Sequence, residues 1–186
     1  MIAQGLYPQI LGFGSFMRSA FLTILALIGA QVAYPQESGK SMVGEMTKHW
    51  ENSKALSLAV AEAMPAEGYA FKATEAEMSF GEQMNHIAMA NGNYCAAAIG
   101  TKSPLAKPED ASKATAIKNL TVAYDYCLEG LAKMDDKGLQ EKATRGTTTM
   151  SKFEFFWGGF THAAHHRGQA EVYLRLKGVT PPSYKF

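Results

Sequence analysis

Beyond residue 40, apolar positions recur at helical spacing in four stretches. Val43, Met46 and Trp50 are three or four residues apart, and Leu56, Val60 and Met64 continue the pattern until Pro65. The residue before a proline is pushed out of the α region, so a first helix over 41–64 is predicted. Tyr69 and Phe71, in the connection that follows, are expected to cover one end of the core. Ser79 stands three residues before Glu82, ahead of a stripe of Met84, Ile87, Asn91, Tyr94 and Ala98. That is a capping box opening a second helix, which Gly100 stops. A third stripe runs through Ile117, Leu120, Tyr124, Cys127, Leu131 and Met134, from Ser112 to Asp135–Gly138. Ser151 and Glu154 form another capping box, and a fourth helix runs to about Lys177, with Gly178 and Pro181-Pro182 beyond it. The Thr-rich stretch 139–149 reads as a connection. Four long helices without a convincing strand give an all-α four-helix bundle over 41–186.

The first 33 residues differ. They hold no acid and one base, Arg18, and Ser19–Ala33 is almost unbroken apolar sequence. The apolar core is too short to span a membrane as a helix and fits a secretory signal peptide. Met17-Arg18 resembles a natural start, which makes residues 1–16 an over-extended beginning. An uncleaved anchor is the other reading, and the membrane is a partner only in that case. Residues 34–40 read as a Pro/Gly linker. The exported protein would begin near Tyr34 and be periplasmic or secreted.

Composition excludes more than it assigns. A formal charge of +1 implies no nucleic-acid partner. No P-loop, dinucleotide-binding glycine pattern or zinc-finger cysteine pairing is present. The chain has five histidines, and three of them fall in Gly158–Gln169. His162 and His166 are one helical turn apart on one face. His86, beside the core stripe of the second helix, supplies a third imidazole. Three such ligands suit a divalent transition metal, Zn, Ni or Fe, and leave open positions. The competing reading is three ordinary surface or hydrogen-bonded histidines. His165 points elsewhere, Arg167 is expected to pair with an acid, and His49 reads as a surface residue. Gly158 and Gly159 serve either close helix packing or an empty volume beside the metal. Gln169 and Tyr173 are candidates for the rim of the site. Glu82 is either a helix cap, a fourth ligand or an orienting group.

His162-Ala-Ala-His-His-Arg-Gly-Gln169, followed by Tyr173-Leu-Arg-Leu-Lys-Gly178, resembles the C-terminal helix of the DinB/YfiT-like superfamily. Phe71-Lys-Ala-Thr and Met78-Ser-Phe-Gly-Glu-Gln-Met-Asn-His86 resemble its second-helix motif. The resemblance covers residues 42–184. It implies an up-down-down-up bundle with a divalent metal held by His86, His162 and His166. It also implies kinship with thiol transferases or isomerases that use small thiols, alongside many members without known activity. In that topology the second and third helices run parallel. Cys95, sixteen residues after the Ser79 cap, and Cys127, fifteen after Ser112, then reach the same height. A disulfide is expected, with two buried free thiols as the alternative. The functional expectation is a metal-dependent hydrolase or thiol transferase acting on a small molecule, or else a non-catalytic metal- or ligand-binding bundle. A homodimer is also expected.

Overall fold

A computed structural model describes residues 41–184. The predicted signal peptide and the 34–40 linker lie outside the described residues. Helix α1 spans Met42–Ala63, α2 Phe80–Ile99, α3 Lys113–Leu131 and α5 Lys152–Leu176. Between α3 and α5 lie a short helix, α4 (Asp136–Gln140), and a hairpin of β1 (Lys142–Arg145) and β2 (Thr148–Ser151). No helix among the described residues is long and apolar enough to cross a membrane.

The long helices start where their caps say. Ser79 and Glu82 form a reciprocal capping box, as do Ser151 and Glu154. Each box satisfies two backbone N–H groups that a helix start otherwise leaves unpaired. Gly100 ends α2 with φ 80°, a conformation that favours glycine.

Pairwise contacts fix the topology. Lys113 reaches the carbonyls of Glu62 and Met64, while Ser53 and Ser57 both bond Tyr124, so α1 and α3 run antiparallel. Asn85 pairs with Asn119 and Cys95 with Cys127, so α2 and α3 run parallel. Tyr173 at the end of α5 bonds the Met78 carbonyl just before α2, making that pair antiparallel. The arrangement is the up-down-down-up bundle. Its centre is aromatic: Trp50, fully buried, meets Tyr124 and Phe156 edge-on. Tyr69 covers one end, donating to the Ala61 carbonyl at 2.6 Å and packing edge-on against Phe80. Phe71 packs against Tyr173.

The region between α3 and α5 corrects the sequence reading. Asp135 does not simply stop a helix; its carboxylate accepts from Gly138 N at 2.7 Å and starts α4. Asp136 then accepts from Met42 N and Val43 N and from the Ser41 hydroxyl, capping α1 from across the bundle. These bonds hold its carboxyl below the usual range, the Val43 N–H first. The Thr-rich connection is a hairpin in which Arg145 pairs with Thr148 around Gly146-Thr147. Gly146, at φ 59°, supplies the positive φ that a two-residue turn needs. The all-α expectation is therefore modified by two short strands.

Cys95 and Cys127 are disulfide-bonded and fully buried between the parallel helices. Labelling of denatured, unreduced protein should find no free thiol. Reduction should cost about 3–4 kcal/mol, the chain-entropy value for this loop length, read from urea unfolding. Two labelled thiols per chain would contradict the bond.

Candidate metal centre

Helix α5 brings His162 and His166 to one face, and the antiparallel α2 brings His86 opposite them. The ring centroids are 4.9 Å apart for His86 and His162, and 4.4 Å for both pairs involving His166. One nitrogen from each ring lies within 4.8 Å of the others. The Nε2 atoms of His86 and His162 are 3.2 Å apart. Two imidazole nitrogens sharing a tetrahedral zinc at about 2.0–2.1 Å would stand about 3.3–3.4 Å apart. The His86–His162 pair already stands at that spacing, and the triad could hold a divalent metal.

Electrostatics agree with that donor set. Burial, then the neighbouring rings of His166, His86 and His165, push the His162 pKa down to about 4. Burial and His86 also lower that of His166, while its bond to Gln169 works the other way. Both rings are thus neutral near pH 7, the form that ligates metals.

Gln169 and Gln83 hold the His166 ring. Gln169 Oε1 also accepts from the Gln83 amide. Nδ1 stands 2.8 Å from the Gln169 oxygen, which only accepts, and 3.1 Å from the Gln83 amide nitrogen, so both glutamines hold the ring at this nitrogen and leave Nε2 free of them. The Gln169 amide nitrogen faces His165 Nε2 at 3.2 Å, which supports this orientation of the amide. Gln169, a candidate for the pocket rim or for a place behind the ligands, sits against the His166 ring. Gln83 was not anticipated. It sits one turn before His86 at a buried position, a place where an amide needs a polar partner, and that was the signal available.

Where the sequence left alternatives, the structure selects one. Glu82 is the helix cap of its three readings and not one of the three converging groups. Its carboxylate accepts from Ser79 N at 2.7 Å, and this bond foremost holds its pKa low. Tyr173 is 4 % exposed and donates to the Met78 carbonyl at 2.9 Å, a structural tie rather than a rim. Gly158 and Gly159 do not border an empty volume. A Cβ on Gly158 would stand 2.9 Å from the Tyr94 ring; one on Gly159 would stand 3.1 Å from Tyr94 Cβ and 3.3 Å from the Trp50 ring. Their smallness lets α5 approach α1 and α2. Arg167 is buried and donates to Ser53 Oγ at 3.2 Å, with no carboxylate partner among the described residues. His49 is half-buried, with its ring 5.9 Å from Phe160. His165 is exposed, as expected.

Two outcomes test these assignments. The unfolded chain protonates His162 near its ordinary 6.5, the folded chain only near about 4. Between those values the unfolded state holds more protons, so stability falls as pH drops through the window. Urea midpoints of metal-free protein should decline from about pH 6.5 to about pH 4, less steeply in His162→Gln. Replacing Gln169 by Leu should weaken metal binding by about 10–100-fold in chelator competition.

Known proteins bear on this geometry. The sequence profile of the DinB family matches residues 36–186. The fold is similar to that of a solved DinB-like protein from Bacillus subtilis, at TM-score 0.65 and 18% identity, covering 76% of this chain and 98% of that one. A DinB-like protein from Bacillus cereus gives TM-score 0.66 at 20% identity, covering 78% and 98%. No curated protein sequence matches. With the profile spanning the whole described bundle, the chain belongs to the DinB family.

Proposed function

We propose that this chain is an exported metal-dependent enzyme that acts on a small molecule by hydrolysis or thiol transfer. The observation that carries the reading is the convergence of three half-buried histidines at ligand spacing. His86, His162 and His166 would hold a divalent transition metal, Zn, Ni or Fe. Three protein ligands leave coordination positions for solvent or substrate. Such a metal supplies Lewis acidity, which makes a water or a thiol nucleophilic near neutral pH.

The chain's own residues do the rest. Burial keeps His162 and His166 unprotonated, so protons do not compete for the site. Gln169 and Gln83 fix the His166 ring. Gly158 and Gly159 let α5 pack closely enough on Tyr94 and Trp50 for its histidines to meet His86. Export is supported by the buried Cys95–Cys127 disulfide together with the apolar, acid-free leader. Disulfides persist in oxidising compartments, where cytosolic thiol cosubstrates are scarce. That weighs toward hydrolysis over thiol transfer.

The second reading is a non-catalytic metal-binding bundle. It draws on the fact that Glu82 and Tyr173, both named from sequence as candidates around the site, are engaged in structural hydrogen bonds.

Elemental analysis of protein purified from its native host should find about one transition metal per chain, matching a single three-histidine site. His166→Ala should lose most of it, by more than about a hundredfold in affinity, since a ligand matters more than an outer partner. Full metal content in that variant would refute the site. Ester hydrolysis and thiol-transfer assays on the loaded protein would then separate enzyme from binder.

A further inference from the structure

The sequence leads one to expect an acid beside Arg167, and the fold supplies none. Its side chain is 5 % exposed, and its one hydrogen bond among the described residues goes to Ser53 Oγ at 3.2 Å. That hydroxyl is shared with Tyr124, at 2.9 Å. None of the ion pairs among the described residues includes Arg167. Arginine keeps its charge in proteins, so burial is not relieved by loss of a proton. A charge buried without a partner is costly, and one hydroxyl does not satisfy five N–H donors.

Arg167 borders a small cavity between α1 and α5. The cavity volume is about 10 Å³, close to the room that one water or one small ion takes. A phosphate or an organic carboxylate, with several heavy atoms each, exceeds it. Asn52 and Ser53 reach the cavity from α1, and His49 stands on the same wall. No carboxylate is among the described residues that line it. Its formal charge is therefore that of Arg167, to which His49 can only add. Every charge that faces the cavity thus favours an anion, and its size admits only a small one.

We infer that this cavity binds a monatomic anion, chloride, held by the Arg167 guanidinium with the Asn52 amide beside it. The ion balances the buried charge and ties α5 to α1 one residue beyond His166. The site is separate from the metal centre and stands whether or not the triad is loaded.

The experiment is urea unfolding of the full chain, kept metal-free so that chloride cannot act as a metal ligand. Chloride replaces gluconate, an anion too bulky for the cavity, at constant ionic strength, which holds general screening fixed. A ligand that binds only the folded state lowers the unfolding constant in proportion to its concentration once its site is filled. Within the range of about 1 mM to 1 M chloride, each tenfold rise above the dissociation constant should lower the unfolding constant about tenfold. Asn52→Asp sets a tethered carboxylate beside the guanidinium and should abolish that dependence while the chain still folds. Arg167→Gln should abolish it too; if that variant fails to fold, Asn52→Asp decides alone. An unfolding constant indifferent to chloride over the whole range would mean that the cavity holds only water, and would overturn the inference. The same dependence surviving in either folded variant would put the ion elsewhere and overturn it equally.

Discussion

The close approach of α5 to α1 and α2 is the constraint on which the rest depends. Gly158 and Gly159 face the Tyr94 and Trp50 rings at distances where an added Cβ would collide or crowd. Each glycine inside a helix is unfavourable by about 1 kcal/mol relative to alanine. Packing against a fully buried Trp50 offsets that cost. One turn further along, the same approach puts His162 and His166 opposite His86. Residues that look like a feature of the site are therefore a feature of the helix pairing that creates it.

A second consequence is electrostatic. Three imidazoles gathered at a half-buried seam cannot all be charged without mutual repulsion and loss of hydration. The structure resolves this by holding His162 and His166 neutral. No proton therefore has to leave His162 or His166 before a metal arrives at neutral pH. The Gln83–Gln169 pair adds direction by holding the His166 ring at Nδ1, which leaves its Nε2 unengaged by either amide. On the far side of α2, the Cys95–Cys127 bond ties that helix to α3, so the ligand-bearing helix is held on both flanks.

Much of this was legible in the sequence because the signals are local. Ser79/Glu82 and Ser151/Glu154 mark helix starts by hydrogen bonds within one turn, and Pro65 and Gly100 mark stops by backbone geometry. The i,i+4 histidines share a face on any helix. The disulfide required one nonlocal premise, the parallel run of α2 and α3, and the family resemblance supplied it. What escaped depended on distant partners. Asp136 is an ordinary acid until Ser41, Met42 and Val43 arrive across the bundle. Tyr173 offered chemistry that the fold spends on the Met78 carbonyl, 95 residues away. Arg167 found a serine rather than an acid. The hairpin could have been read from β-branched threonines flanking Gly146, but four-residue strands carry too short an alternation to compete with a loop reading.

Everything above stands on the three histidines holding one metal. X-ray absorption at the metal edge of the natively loaded protein tests this most directly. The account predicts a first shell with three imidazole nitrogens at about 2.0–2.1 Å, completed by light atoms at the open position. A shell with fewer than three imidazoles, or one containing sulfur from the protein, would contradict it.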